Sequence, residues 1–141
     1  MGKKEKAVKV VLDTNILVSA LLFKGELARL VELWKGGRII PLFSKETFDE
    51  FRTVLTYPKL KLSQTEIATI IEAEVLPFFE VIEATEVVSG ICKDPDDDKF
   101  IACAVSGGAG VLVTGDQQLC DVRVHKTVKV INAADFLRMF V

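Results

Sequence analysis

The chain has 141 residues, 50% of them hydrophobic and 27% charged, with 18 Lys+Arg against 20 Asp+Glu and a formal net charge of −2. This apolar fraction, with a mean hydropathy of +0.34, excludes intrinsic disorder, collagen-like repeats and low-complexity scaffolds. A chain of this length buries roughly two-thirds of the surface its unfolded form exposes, so residues 1–141 read as a single domain behind a basic N-terminal tail, Met1 to Lys6.

In chain order, short β-branched runs alternate with longer stretches of helical period. The predicted strands are Val8 to Leu12, Arg38 to Phe43, Phe79 to Glu83, Val111 to Thr114 and Val128 to Ile131. Helical patterns cover Glu26 to Lys35, Ser44 to Leu55, Gln64 to Phe78, Asp96 to Val105 and Asn132 to Phe140, and Asp13 is placed to cap a further helix starting near Asn15. All-apolar strands such as Val111-Leu112-Val113 imply a parallel sheet with helices on both faces. The predicted fold class is therefore α/β, doubly wound, with about five strands. The richest apolar run, Ile16 to Phe23, is far short of a bilayer span, and the N-terminus has no small-residue cleavage site. A cytoplasmic protein is expected, with no membrane contact.

The chemistry that remains open is narrow. Cys92, Cys103 and Cys120 form no C-x-x-C pair, and His125 is the single histidine, so neither a zinc cluster nor a disulfide framework is supported. The three cysteines are expected to be reduced, partly buried thiols. A Ser-His-Asp or Cys-His site would need His125 as its base, and His125 stands in a polar stretch typical of a loop. Carboxylates are left to carry any reaction.

Ligands of open parallel sheets bind beyond the carboxyl ends of the strands, and there the acids collect. Asp13 directly follows the first strand and Asp116 the fourth. Each could also be a helix N-cap, Asp13 before Asn15 and Asp116 before Gln117 to Cys120. Asp94-Pro95-Asp96-Asp97-Asp98 precedes the apolar Phe100, Ile101 and Ala104. Asp94 as N-cap, Pro95 at the first helical position and Asp97 at the third make a helix start. Capping uses only one or two acids, and the surplus is better explained by a divalent cation nearby. Helical spacing sets Asp97 and Asp98 one turn above a buried face and Asp96 toward solvent. Glu50 lies between Phe48 and Phe51, and periodicity alone favours a surface acid paired with a basic neighbour. An oxygen-only donor set suits Mg²⁺ or Mn²⁺, and such ions support phosphodiester hydrolysis.

These residues resemble the PIN-domain ribonucleases, in particular the toxin components of prokaryotic toxin-antitoxin modules. The stretch Val10 to Leu22, with Asp13-Thr14-Asn15, is similar to the family's opening strand and helix. Phe43-Ser44-Lys45-Glu46 through Glu50 to Tyr57-Pro58-Lys59-Leu60 is similar to its second motif, Asp94 to Phe100 to its third, and Val113-Thr114-Gly115-Asp116 to its fourth. The resemblance implies a strand order of 3-2-1-4-5, with Asp13 and Asp116 on adjacent strands at the switch point. It implies metal-ligand roles for Asp13, Asp116 and an Asp among Asp94, Asp97 and Asp98, with Asp98 and Asp97 favoured, and it makes Glu50 a site acid. Thr14, Asn15 and Thr114 match positions that orient ligands or the attacking water. Close relatives often carry Asn at position 98, where this chain has Asp.

The expected activity is a Mg²⁺- or Mn²⁺-dependent endoribonuclease, the toxin of a toxin-antitoxin pair, with RNA as substrate, a cognate antitoxin as partner and a homodimer as assembly. Trp34 and the stripe Ile67, Ile70, Ile71 and Val75 are candidate interface residues, although such spacing is also that of ordinary core. Alternatives are a catalytically silent RNA- or protein-binding module, or an RNA-processing nuclease without a toxin role. A dehalogenase-like phosphatase is disfavoured, because that class needs a second Asp where Asn15 stands. Setting aside the candidate site acids turns the remaining charge balance mildly basic. Lys3, Lys4 and Lys6, Lys45 with Arg52, and Lys93 with Lys99 are then candidate phosphate contacts, and no aromatic stacking platform is evident.

Overall fold

The structure, a computed structural model, describes residues 7–86, 88–116, 119 and 122–140. Six strands, β1 (Val8–Leu12), β2 (Ile39–Phe43), β3 (Glu80–Val81), β4 (Val111–Val113), β5 (Val124–His125) and β6 (Val128–Ile131), form one sheet in the order β3-β2-β1-β4-β6-β5. All pairings are parallel except β5 with β6. The five predicted strands thus stand in the predicted order, β6 being the fifth. The extra strand is β5, where His125 lies in a two-residue hairpin arm rather than a loop: His125 pairs with Val128 and Val124 with Lys129, and Lys126 turns the chain at φ 53°.

The helices are α1 (Thr14–Leu22), α2 (Arg29–Lys35), α3 (Lys45–Leu55), α4 (Gln64–Thr69), α5 (Asp98–Gly107) and α6 (Ala133–Arg138). Strand alternation sends side chains to opposite faces, and two cores result. Val10, Leu12, Val111 and Val113 join Leu17, Leu30, Phe51 and Phe136 from α1, α2, α3 and α6 on one face. Val11, Leu112, Val128 and Val130 meet Phe100, Ile101, Cys103 and Ala104 of α5 on the other. The sheet is therefore covered on both sides, with α5 covering one of them. No helix among the described residues is long and apolar enough to cross a membrane.

Several predicted elements are shorter or divided. Phe79 to Glu83 contracts to β3, and Asn132 to Phe140 to α6, whose cap Asn132 accepts from the Asp135 amide at 2.8 Å. Glu26 to Lys35 opens as a 3-10 turn, Glu26–Ala28. Gln64 to Phe78 is α-helical to Thr69 and then a π-helix, Ile70–Val75. There the Leu76 amide reaches back five residues to the Ile71 carbonyl at 2.9 Å, and the Glu74 carbonyl accepts from Trp34 Nε1 at 2.9 Å. Trp34, a candidate interface residue, is core: it is 1% exposed and packs edge-on to Phe79. Val75 is likewise fully buried, whereas Ile67, Ile70 and Ile71 are partly buried against the same core.

Candidate active site

Parallel pairing of β1 with β4 sets Leu12 beside Val113, so Asp13 and Thr114 leave the sheet together. Their backbones stay tied, the Asp13 amide donating to the Val113 carbonyl at 3.0 Å. Asp13 caps α1, its Oδ1 accepting from the Ile16 amide at 2.8 Å. Oδ2 accepts from the Thr114 hydroxyl, whose oxygen in turn accepts from the Asp116 amide at 3.0 Å. Asp116 also accepts from the Leu119 amide at 3.3 Å, and the remainder of the helix expected at Gln117 to Cys120 lies outside the described residues. Asp13 is thus a helix cap, and both acids stand at the sheet's switch point.

Glu50 comes from α3, which a buried capping box starts: Ser44 Oγ accepts from the Thr47 amide at 3.3 Å, and Thr47 Oγ1 from the Ser44 amide at 2.9 Å. The carboxylate accepts from the Thr14 hydroxyl and pairs with Lys99 at 2.6 Å. It has the basic neighbour that periodicity suggested, and it also faces the strand ends. Lys99 is consequently not a free phosphate contact. Lys45 and Arg52 each pair with Asp49, at 3.2 and 3.6 Å, and Lys3, Lys4 and Lys6 lie outside the described residues.

The acidic run before α5 divides its members. Asp94 caps a 3-10 turn, Pro95–Asp97, accepting from the Asp96 amide at 3.0 Å, and both Asp94 and Asp96 are exposed. Asp98 is 5% exposed; its Oδ1 accepts from the Cys92 amide at 2.8 Å and its Oδ2 from the Gly90 amide at 3.1 Å. The Cys92 thiol also bonds to it, and burial pushes that thiol up to about 12. Asp98, favoured by the sequence as a ligand, is thus turned to the 90–92 segment. Its neighbour Asp97 makes no capping bond to α5 and faces the other acids.

Asp13, Thr14, Asn15, Glu50, Asp97 and Asp116 line one cleft of about 250 Å³ together with Val54, Tyr57, Lys59 and Phe100. A second cleft of about 260 Å³ shares Asp13, Asn15 and Asp116 and adds Ile16, Ser19 and Gly115. The electrostatics follow from this crowding. Asp97 is raised from 3.8 to about 6 by burial, then by the charges of Asp116, Asp94, Asp13 and Glu50. Asp13 is raised by burial, with the Thr114 hydroxyl and the Ile16 and Gly115 amides opposing, and with Asp116 adding to the rise. Cys103, pushed up to about 11 by burial, is like Cys92 a free buried thiol, as expected, and not a thiolate nucleophile; Cys120 lies outside the described residues.

A family profile described as PIN domain matches residues 9–118. The chain belongs to the PIN domain family. It is 31% identical over 138 residues to an uncharacterized protein of Methanocaldococcus jannaschii, the alignment covering 94% of this chain and 87% of that one. In fold it is similar to VapBC2 of Rickettsia felis, solved bound to a DNA fragment from their promoter, with a TM-score of 0.59, 15% identity and coverage of 89% and 98%. It is also similar to FitAcB of Neisseria gonorrhoeae, with a TM-score of 0.55, 22% identity and coverage of 87% and 96%. PIN domains are usually nucleases and generally use divalent metal ions.

The donor chemistry of this PIN domain fits such an ion: hard carboxylate oxygens on a solvent-facing cleft, with no imidazole or thiolate among them. As the side chains stand, Lys99 and the hydroxyls of Thr14 and Thr114 satisfy Glu50 and Asp13. Among the described residues, no three His, Cys, Asp or Glu side chains stand close enough to hold one ion together. Tyr57, Lys59 and Ser19 are cleft residues to which the sequence reading assigned no role. Tyr57 and Lys59 stand past the end of α3, so helical spacing from Glu50 did not mark them.

Proposed function

We propose that this PIN domain is a Mg²⁺- or Mn²⁺-dependent endoribonuclease. The observation that carries the reading is the cleft itself: Asp13, Glu50, Asp97 and Asp116, from four separate elements, face one another beyond the carboxyl ends of β1 and β4. Like charges gathered at a cost to their ionisation mark a site shaped for function. Asp13, Asp97 and Asp116 would hold the cation, with Glu50 completing the set or orienting the attacking water. A bound Mg²⁺ or Mn²⁺ supplies an activated water and neutralises charge at the leaving oxygen. Thr114 holds Asp13 and Thr14 holds Glu50 in register, and Asn15 adds a polar side chain to the wall. The VapBC2 and FitAcB likenesses support a toxin that takes a cognate antitoxin; the homodimer and the cytoplasm are part of the same proposal and rest on the sequence alone. The test is cleavage of a mixed RNA in Mn²⁺, run beside EDTA and Asp116→Asn. Loss of cleavage in both controls is the expected result; cleavage that persists in EDTA overturns the metal role. An inactive wild-type chain would leave the silent binding module standing.

A further inference from the structure

The proposed cation offsets part of the charge of the four carboxylates in the cleft, and the strand on either side of the cut phosphate still needs contacts of its own. Lys99, outside the cleft lining, is paired with Glu50, and among the described residues that line the cleft Lys59 is the only cation. Beside it stands Tyr57, 44% exposed. Neither side chain makes a hydrogen bond or ion pair within the described structure, so neither is explained by the fold.

Their backbone is nonetheless fixed. The Tyr57 amide donates to Val54 at 3.0 Å, Leu60 to Tyr57 at 3.0 Å and Lys61 to Pro58 at 3.1 Å. Pro58 locks the 3-10 turn Pro58–Leu60 and holds Tyr57 extended. Leu60 and Leu62 then anchor the turn on the core. Glu50 and Val54 on α3 and Tyr57 just past its end line the same cleft. A pre-set aromatic face and a nearby ammonium are the two elements that single-stranded nucleic acid sites combine.

We propose that Tyr57 and Lys59 seat the nucleotide flanking the cleavage point, Tyr57 by stacking on its base and Lys59 by contacting its phosphate. This rests on the nuclease reading above and adds to it a preference for single-stranded over duplex substrate, since a paired base offers no free face to the ring. Because every base has a π-face, the seat is tolerant of sequence.

Tyr57 is the single tyrosine of the chain, so fluorotyrosine labelling yields one fluorine NMR resonance that needs no assignment. In labelled Asp116→Asn protein with Mg²⁺, a short single-stranded RNA of mixed sequence should shift that resonance along the binding curve measured by anisotropy, and a duplex of the same sequence should not. In Mn²⁺ cleavage assays, Tyr57→Ala should raise KM about tenfold, with kcat changed less than about twofold and Tyr57→Phe close to wild type. Lys59→Met should lower the log–log salt dependence of KM by about 0.7. Unchanged melting temperatures would confirm that these exposed substitutions leave the fold intact. Strand binding with a silent fluorine resonance, or cleavage whose KM ignores both substitutions, overturns the proposal and leaves the nuclease reading standing. A shifting resonance without wild-type cleavage removes the nuclease reading and with it the cleavage-point seat, leaving Tyr57 as a contact of a binding module, and neither binding nor cleavage removes both.

Discussion

Asp97 and Asp98 are chemically identical neighbours that the structure uses differently. Successive helical residues diverge by about 100° around the axis, so one carboxylate turns to the cleft as the other turns to the 90–92 segment. Asp98 takes two backbone amides in a buried position, and hydrogen bonds to charged groups contribute about 1.5–3 kcal/mol. Asn at this position offers one acceptor oxygen and sets its NH₂ against an amide, so Asp98→Asn should lower stability by about 2 kcal/mol in urea titration. Asp97→Asn removes a repelled charge and no helix-capping bond. It should abolish cleavage while leaving the urea midpoint unchanged or higher. An active Asp97→Asn, or an inactive Asp98→Asn with native stability, would reverse these roles.

At the scale of elements, α3 and α5 frame the cleft, and the sheet fixes where each lies. The close approach of α5 to β2 depends on Gly107: a Cβ there would stand 2.4 Å from Leu42 Cδ1 and 3.2 Å from Ile82 Cγ1. Leu42 is itself buried and has little room to yield. Gly107→Ala should therefore be destabilising by up to about 2 kcal/mol, since overpacking costs ~1–3 kcal/mol and the gain in helix propensity offsets ~0.5–1 kcal/mol of it. Denaturant unfolding checks this, and a stabilised variant would exclude the tight contact. The five predicted strands were legible from their apolar runs, even β2, where Pro41 is tolerated because β3 pairs only from Leu42 onward. The π turn and β5 were not. The first depends on Trp34 claiming the Glu74 carbonyl from 40 residues away, and the second on β6 offering an edge to Val124 and His125.

For the whole molecule, the net charge of −2 conceals a concentration of acid at one end of the sheet. Asp97 rises to about 6 and Asp13 rises from the same ordinary value of 3.8. The folded state therefore keeps protons that the unfolded chain has already released. Stability contributed by these groups is full below about pH 4 and is lost as pH rises toward about 6. In EDTA, unfolding at pH 5 should need more urea than at pH 7, other groups being equal, and Asp97→Asn should flatten that difference. A stability that climbs through this range in wild type and variant alike would show that the cluster does not govern it.

By itself the sequence determined the alternation of strands and helices, the two-sided sheet and the collection of acids at the strand ends, because hydrophobic period and capping chemistry act over a few residues. Its resemblance to PIN domains supplied the order of the strands and the place of Glu50. Only the tertiary structure decided that Asp97 rather than Asp98 faces the cleft, that Lys99 neutralises Glu50, and that Tyr57 and Lys59 look into the same space. Those outcomes depend on which groups meet across tens of residues. Local spacing sets the direction of a side chain, while packing alone decides what stands opposite it.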